Sequence, residues 1–347
     1  MINSPAFMHI PDGYLSPVTS LILFLLVLPF WYRGIRKLRG RMNARNVPLI
    51  ALMAAFSFVV MMFNVPLPGG TTGHAVAGAI AAIILGPEIA TIAISIALVI
   101  QALFFGDGGI LQIGANSFNM AVILPFISYA VYRLFAADSA VMSRRRVVGA
   151  ALGGWLGLTV AAFFAAVEFG LQPIFWHTAD GTPLYAPYLP GLAIPAMVIP
   201  HALVASVIEG VITALVVVYL QRTNPVVLST STGRSAPQTG RRPSTVTWVA
   251  LAILAVATPL GLLAPGTAWG EWGAEQLARG GLGFVPAGLA QLSHIWTAPL
   301  ASYNMPLLGN ATLGYVLSAV VGVLLVATIA WLLTRLFTGS DKQSDKT

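Results

Sequence analysis

The chain has 347 residues, of which 57% are hydrophobic and only 8% are charged. Soluble domains carry about 25% charged residues, so this composition excludes an ordinary soluble protein and indicates one that spans a membrane repeatedly. The net charge of +7 does not indicate a nucleic-acid partner, because the basic residues cluster between apolar runs. The sequence contains no cysteine, which excludes disulfides, thiolate metal sites and thiol nucleophiles.

Nine apolar runs are candidate transmembrane helices, a class of segment that usually needs about 17 residues or more. In chain order they cover residues 16–33, 47–63, 74–87, 88–106, 114–136, 146–171, 193–221, 246–264 and 311–337. The third is short and rich in Gly and Ala, which is typical of a helix packed closely against other helices. We therefore predict an all-α integral membrane protein with about nine transmembrane helices.

The basic residues fall on one side of the membrane when the amino terminus is placed outside. Arg279 alone then lies in an outer loop, and the cytoplasmic side holds Arg33, Arg36, Lys37, Arg39, Arg41, Arg45, Arg133, Arg144, Arg145, Arg146, Arg222, Arg234, Arg241, Arg242, Arg335, Lys342 and Lys346. Cytoplasmic loops are enriched in Lys and Arg, and an error of one span would break this alternation. We expect a multi-pass protein of the bacterial inner membrane, with its amino terminus outside and its carboxyl terminus cytoplasmic.

Composition divides the chain into three parts. Residues 1–221 form a core of seven predicted spans, and residues 222–245 are rich in Ser, Thr, Pro, Gly and Arg, which is typical of a flexible cytoplasmic linker. Residues 246–347 contain two predicted spans joined by a long outer loop at 264–310. Because two spans make a poor independent domain, we interpret residues 246–347 as a tethered accessory segment.

Strongly polar residues gather at or near the predicted outer face. They are the segment Met8-His9-Ile10-Pro11-Asp12-Gly13, His74 at the start of the third span, Gln101 late in the fourth, the loop Gly106-Asp107-Gly108-Gly109, and Asn116 and Asn119 early in the fifth. Such residues usually face the bundle interior and mark a site or a pathway. His74 belongs either to such a site or to an interface where it hydrogen-bonds a loop. For Gln101, Asn116 and Asn119, hydrogen bonding between helices is favoured over direct ligation.

Two further polar residues lie deeper, in the seventh span. His201 and Glu209 are eight residues apart, about two helical turns, so we do not expect a direct contact between them. Each is a buried polar residue or part of an ion path, and the sequence does not decide between these roles. His177 and His294 fall in outer loops, and we interpret them as surface residues.

Motifs of common enzyme classes are missing from the sequence. It has no H-E-x-x-H, no G-x-S-x-G and no G-x-x-x-x-G-K-[ST]. The chain is therefore not expected to be an enzyme, and any work driven by ATP must come from partner ATPase subunits. A membrane enzyme would also need a nucleophile and a base side by side, which the sequence does not offer.

Several motifs together resemble one family of membrane proteins. The segment Met8-His9-Ile10-Pro11-Asp12-Gly13, the pair Gly73-His74 and the run QALFFGDGGILQIGANSFNMA at 101–121 resemble the substrate-specificity subunits of energy-coupling-factor nickel and cobalt transporters, the CbiM/NikM family. The run HALVASVIEGVITALVVVYL at 201–220 resembles the last core helix of that family. The stretch PLGLLAPGTAWGEWG at 259–273 resembles its small accessory subunit, of the NikN or PDGLE type.

This resemblance implies a function and partners. The chain would be the membrane-embedded substrate-binding subunit of an ATP-driven importer, working with a transmembrane coupling subunit and cytoplasmic ATPase subunits. Its cargo would be Ni²⁺ or Co²⁺, without any cofactor, and the fused accessory segment favours nickel. The alternatives are cobalt uptake for cobalamin synthesis by the same mechanism, and a stand-alone secondary metal transporter, for which Glu209 is the main deep charged candidate.

The resemblance also implies a metal site. The amine of Met8, the amide and the imidazole of His9, and the side chain of His74 would supply four nitrogens. A planar set of nitrogens suits Ni²⁺ or Cu²⁺ better than Zn²⁺ or Mg²⁺. Gln101, Asn116 and Asn119 are candidates to surround and hold these ligands.

The position of Met8 departs from the family pattern, because seven residues precede it here. The chelate needs a free amine on the residue before His9. We expect translation to begin at Met8; with a start at Met1 and no trimming, the amine ligand is lost.

Overall fold

The structure is a computed structural model, and it describes residues 9–41, 47–68, 71–229, 245–264 and 269–338. Of the described residues, 76% are helical, which confirms the predicted all-α membrane class. The sheet that these residues contain is one antiparallel pair, β1 (Val65–Leu67) and β2 (Thr71–Gly73), in which Val65 pairs with Gly73.

Helices α1 to α10 lie before the predicted accessory segment. They are α1 (Pro17–Arg41), α2 (Val47–Met61), α3 (Gly78–Leu85), α4 (Pro87–Ile100), α5 (Ile113–Asn116), α6 (Leu124–Ala136), α7 (Arg144–Phe175), α8 (Pro190–Pro200), α9 (Ser206–Thr223) and α10 (Pro225–Ser229). Wider π-helical turns extend or join some of them at Gln101–Phe105, Ser117–Ile123 and His201–Ala205.

The carboxyl-terminal part contains two long apolar helices and several short ones. The helices are α11 (Thr245–Ala257), α12 (Ala274–Leu277), α13 (Ala287–Leu292) and α14 (Ala311–Thr338). Short 3₁₀ turns occur at Thr258–Leu263, Trp269–Glu271, Ala301–Tyr303 and Pro306–Leu308, and a π-helical turn at Ala278–Leu282.

Every predicted apolar run coincides with a helix, but the count of nine full spans is not confirmed. Seven helical stretches in the described residues are long and apolar enough to cross a membrane: Pro17–Arg39, Pro87–Phe105, Ile113–Ala136, Arg144–Phe175, Pro190–Thr223, Thr245–Leu263 and Ala311–Leu333. A shorter apolar helix covers Pro48–Met61. Helix α3 has only eight residues, or about 12 Å, whereas the hydrocarbon core is about 30 Å thick.

The helix in the third apolar run starts only at Gly78, after four non-helical residues, and a distant carboxylate caps it there. Glu209 on α9 accepts hydrogen bonds from the backbone N–H groups of Val76 at 2.8 Å, Ala77 at 2.8 Å and Ala79 at 3.1 Å. The first N–H groups of a helix lack partners within the helix and carry partial positive charge, so a carboxylate there satisfies both needs. Glu209 therefore caps α3, a role that the sequence had left open.

Glycines allow close approach between the long core helices. A Cβ added to Gly154 on α7 would lie 3.0 Å from the Cα of Gly210 on α9, and one added to Gly153 would lie 2.6 Å from the carbonyl oxygen of Ser128. Small residues of this kind are the usual means by which membrane helices pack backbone to backbone. These contacts fix the bundle that carries the site.

The predicted accessory helices share the hydrophobic core of the first part of the chain. Leu251 and Ala255 of α11, and Tyr315 of α14, belong to the same buried cluster as α2 and α4. A Cβ added to Gly322 of α14 would overlap the ring of Phe58 on α2. The carboxyl-terminal part therefore packs directly on the rest of the molecule.

The first part of the range predicted as a linker contains a short helix. Residues 225–229, which lie in the predicted range 222–245, form helix α10, and its Leu228 is fully buried. The Leu228 carbonyl accepts a hydrogen bond of 2.8 Å from Arg146, which is 2% exposed. This buried contact holds the segment against the bundle, whereas residues 230–244 lie outside the described part of the chain.

Candidate metal-binding site

A cavity of about 100 Å³ lies at the end of the bundle where the described chain begins. Its walls come from the amino-terminal segment, β2 and the turn after it, helices α7 and α8, and the 3₁₀ turn Trp269–Glu271. Three of the chain's five histidines, His9, His74 and His201, line it. The other two, His177 and His294, are exposed elsewhere, where the sequence placed them.

His9 and His74 meet in this cavity, although 64 residues separate them in sequence. Their ring centroids are 5.1 Å apart and the rings are nearly perpendicular, at 87°. Both side chains are buried, with 4% and 6% exposure. The structure therefore brings together the two histidines that the sequence predicted to share a site.

One nitrogen of the His9 ring has a polar partner in the described part of the chain and the other does not. Nδ1 lies 3.1 Å from Oδ1 of Asp107, a carboxylate that is itself 1% exposed. Nε2 is buried and has no hydrogen-bond partner among the described residues. A carboxylate behind one nitrogen with a vacant second nitrogen is the usual arrangement of a metal-binding histidine.

His74 and His201 are oriented alike. Nδ1 of His74 lies 2.9 Å from the carbonyl oxygen of Ala75, and Nδ1 of His201 lies 2.7 Å from that of Met197. A ring that donates from Nδ1 carries its lone pair on Nε2. Nε2 of His201 lies beside Gly73, 3.4 Å from the position that a Cβ there would take. The sequence left the role of His201 open, and the structure places it in the cavity.

The segment after His9 is held in place by backbone pairing. The Ile10 N–H donates to Oδ1 of Asn116 at 3.0 Å, and Nδ2 of Asn116 donates back to the Ile10 carbonyl at 3.1 Å. The N–H of Gly109 also donates to the Ile10 carbonyl, at 2.9 Å. Asn116 thus holds the backbone next to His9, as expected of a residue that supports the ligands.

Asp12 anchors the same segment one turn further on. Its carboxylate accepts hydrogen bonds from the N–H groups of Ile110 at 3.0 Å and Leu111 at 2.9 Å. Burial raises the pKa of Asp12, although these two hydrogen bonds oppose the shift. Gly109 leaves the space that Asp12 needs, because any side chain there would overlap it.

Gln101 is linked to His9 through Tyr303 and Asp107, whereas Asn119 lines the cavity and contacts Glu168. Nε2 of Gln101 donates to the hydroxyl of Tyr303 at 3.0 Å, and that hydroxyl donates to Oδ2 of Asp107 at 2.6 Å. Nδ2 of Asn119, which lines the cavity, donates to Oε2 of Glu168 at 2.9 Å.

Three of the polar residues in these contacts were not predicted as site residues. Asp107 stood in a glycine-rich polar loop, a signal that could have found it. Tyr303 and Glu168 carry no local signal, since their partners lie 196 and 49 residues away.

The carboxyl-terminal part closes one side of the cavity. Trp269, Gly270 and Glu271 line it. The hydroxyl of Tyr14 donates to the carbonyl oxygens of Trp269 at 3.2 Å and Trp272 at 2.7 Å, which ties this wall to the amino-terminal segment. The cavity is therefore built from both ends of the chain.

The described residues supply only part of a metal-binding set. Among residues 9–41, 47–68, 71–229, 245–264 and 269–338, no three His, Asp or Glu side chains are grouped closely enough to hold a metal ion. Met8, the predicted source of the amine ligand, lies outside this part of the chain. Completing the site requires a donor beyond His9 and His74.

Comparison with known proteins identifies the same two parts of the chain. Residues 9–227 match the model of the CbiM family, described as the cobalt uptake substrate-specific transmembrane region, and residues 243–339 match the PDGLE domain. The fused nickel transport protein NikMN of Rhodobacter capsulatus is 50% identical over 92% of this chain and 95% of its own length. The probable fused nickel transport protein LarMN of Lactiplantibacillus plantarum is 42% identical over the same shares.

More distant relatives and solved structures agree. The cobalt transport protein CbiM of Geobacter sulfurreducens is 31% identical over 78% of this chain and 76% of its own length. Two crystal structures, of a transition metal transporter and of a truncated one, are 46% and 49% identical. They cover 66% and 62% of this chain and 100% and 99% of their own, with TM-scores of 0.59 and 0.58. The chain belongs to the CbiM family of transition-metal transport proteins, and a PDGLE domain follows in the same polypeptide.

Proposed function

We propose that this chain is the substrate-binding subunit of an ATP-driven importer, with Ni²⁺ as its preferred cargo and Co²⁺ as the alternative. The observation that carries the proposal is the buried pair His9 and His74 in a cavity of about 100 Å³, with Nε2 of His9 unpaired. Nickel is favoured because two relatives that match along 92% of the chain are named as nickel transport proteins.

The proposed ligands are the Met8 amine, the His9 amide and imidazole, and His74. An imidazole that closes a chelate ring with the amide of its own residue does so through Nδ1. In the structure Nδ1 of His9 faces Asp107, so a metal held through Nδ1 would require the ring to turn about its Cβ–Cγ bond. Nε2 would then carry the N–H on the same side of the ring as Cδ2, and the Asp107 carboxylate would be its candidate acceptor.

We place the cavity at the outer face and the basic end of the bundle in the cytoplasm of a bacterium. Helix α1 begins at Pro17, close to Tyr14, which hydrogen-bonds the cavity wall at Trp269. Near its other end Lys37 pairs with Glu88 at the start of α4. The basic residues around Lys37 are concentrated at this second end, and cytoplasmic loops favour such residues. A reporter enzyme fused within 230–244 should be active only in the cytoplasm; activity outside contradicts the orientation.

The coupling subunit and the ATPase subunits are proposed partners, since the sequence has no phosphate-binding loop of its own. The stand-alone transporter is less well supported, because its main deep carboxylate, Glu209, is occupied in capping α3. A stand-alone transporter would therefore need another acidic group to line its ion path.

Uptake of radioactive nickel separates these two functions. We expect cells that produce this chain with its coupling and ATPase partners to accumulate nickel, and cells whose ATPase lacks the phosphate-loop lysine to lose that uptake. Nickel uptake that persists without a working ATPase supports the stand-alone transporter instead. Unlabelled Co²⁺ or Ni²⁺ is added in tenfold excess over the radioactive nickel, which is a difference of roughly 1.4 kcal/mol in chemical potential. The metal that lowers the uptake of label more is the preferred cargo.

A further inference from the structure

A line of buried hydrogen bonds connects the PDGLE domain to His9. The Tyr303 hydroxyl donates to Oδ2 of Asp107 at 2.6 Å, and the other oxygen of the same carboxylate, Oδ1, lies 3.1 Å from Nδ1 of His9. Tyr303 and Asp107 are each 1% exposed, so water does not compete for these contacts. One carboxylate therefore contacts a histidine of the core and a tyrosine of the domain that follows it.

The direction of these hydrogen bonds is fixed by Gln101. Its Nε2 donates to the Tyr303 oxygen at 3.0 Å, so the hydroxyl proton is directed to Asp107. Burial and the nearby Asp107 carboxylate raise the pKa of Tyr303 well above its ordinary value, which keeps that proton in place. Tyr303 holds one oxygen of the Asp107 carboxylate, and the other oxygen faces the His9 imidazole.

The Tyr303 ring is locked by its surroundings. It stacks on Phe105 with centroids 4.8 Å apart at 19°, and it contacts the edge of Tyr315 at 5.4 Å. Its backbone has φ +55°, a left-handed conformation that a non-glycine residue adopts only when the surrounding structure imposes it. Ser318 also donates to the Tyr303 carbonyl at 2.9 Å. The hydroxyl is thus aimed at Asp107 with little freedom to move.

We propose that Tyr303 is a positioning residue of the metal site, which acts through Asp107 to set the orientation of the His9 imidazole. This inference rests on the proposed function, because it assumes that His9 binds the metal. Through Tyr303, the PDGLE domain tunes the affinity and ligand geometry of a site whose histidines, His9 and His74, lie in the CbiM part of the chain.

The test compares Tyr303→Phe with Tyr315→Phe in the full chain that begins at Met8. Each change removes one buried hydroxyl and keeps the ring, but the Tyr315 hydroxyl donates to the Met62 carbonyl at 3.0 Å, whereas the Tyr303 hydroxyl donates to Asp107. Loss of a group that hydrogen-bonds a metal ligand typically lowers metal affinity 10- to 100-fold. Because Tyr303 acts one hydrogen bond further out, through Asp107, we expect Tyr303→Phe to lower Ni²⁺ affinity by about 10-fold, at the low end of that range, with a shifted visible absorption of the bound nickel. We expect a smaller change, and no spectral shift, for Tyr315→Phe.

A double-mutant cycle shows whether Tyr303 works through Asp107. Asp107→Asn should weaken Ni²⁺ binding by itself, and adding Tyr303→Phe to it should cause little further loss. If the affinity losses of the two single variants multiply in the double variant, the proposal is overturned. A Tyr303→Phe chain with wild-type affinity and spectrum overturns it as well. A wild-type chain that binds no Ni²⁺ or Co²⁺ instead overturns the proposed function, so the two failures are distinguishable.

Discussion

The two histidines that face each other in the cavity are supported differently. His9 is held by the Asp107 carboxylate and by the pairing of the next residue, Ile10, with Asn116. His74 is held by the carbonyl of its own neighbour, Ala75, on the extended segment before α3. Removing one imidazole leaves the backbone around the other unchanged, so each contribution to binding can be measured separately.

We expect His9→Ala and His74→Ala each to abolish high-affinity Ni²⁺ binding by the purified chain, because each removes a nitrogen of the proposed set. His177→Ala and His294→Ala are the matched controls, since both residues are exposed. They should change affinity by less than about twofold, as surface changes usually do. Calorimetric titration measures all four, and a His74→Ala chain that binds as tightly as wild type removes His74 from the ligands.

The amine ligand gives a second prediction at this scale. A chain that starts at Met8 should bind Ni²⁺ tightly, whereas a chain with a permanent extension before Met8 should bind weakly, because the extension replaces the amine with an amide. Absorption spectroscopy should show the planar nickel complex only in the first. Equal affinity and equal spectra for both chains exclude the amine as a ligand.

The sequence predicted the two histidines but not all of the residues whose hydrogen bonds hold them in place. His9 and His74 stand in recognisable motifs, and their meeting in one cavity was foreseen. Tyr303 could not be, because its contact with Asp107 joins residues 196 positions apart and no motif marks Tyr303. Local pattern identifies candidate ligands, whereas the hydrogen bonds behind them depend on packing between distant helices.

Among the elements, the third apolar run is where prediction and structure differ most. Its composition is uniformly small and apolar, so nothing within it shows that residues 74–77 are not helical. The helix begins at Gly78 because Glu209, 130 residues away from Ala79, supplies the cap. The break is a tertiary effect, which periodicity within the run cannot reveal.

Glu209→Gln should destabilise the fold. Glutamine keeps one acceptor oxygen but places an NH₂ group against backbone N–H donors, so at least one of them loses its partner. Hydrogen bonds to charged groups contribute about 1.5–3 kcal/mol, and we expect a loss of unfolding free energy in that range. Glu275→Gln is the control, because the Glu275–Arg279 pair is largely exposed.

Chemical unfolding in detergent, followed by tryptophan fluorescence, measures both variants. We expect Glu275→Gln to stay within about 0.5 kcal/mol of wild type. A Glu209→Gln protein as stable as wild type contradicts the capping role and reopens the question of an ion path through Glu209.

For the whole molecule, we predict that the two parts work together without a covalent link. We expect residues 8–229 and 245–347, produced as separate chains, to copurify and to bind Ni²⁺. The reason is the shared hydrophobic core, including Gly322 against Phe58 and the Tyr315 hydroxyl on the Met62 carbonyl.

Gly322→Leu provides the matched control, because its side chain would overlap Phe58 and should prevent copurification of the separate chains. Ala311→Leu, at an exposed position on the same helix, should not. Nickel uptake by the fused chain alone, with none from the separate chains, contradicts the interpretation of the carboxyl-terminal part as a tethered subunit.

The hydrogen bond from the Tyr14 hydroxyl to the Trp272 carbonyl has a consequence for the order of events during synthesis. These residues are 258 positions apart, and a ribosome adds roughly 5–20 residues per second. The amino-terminal segment therefore waits roughly 13–50 s after it is made before its last hydrogen-bond partners leave the ribosome. The amino-terminal segment is therefore made early but completes its hydrogen bonding to the carboxyl-terminal part only after that part has been made.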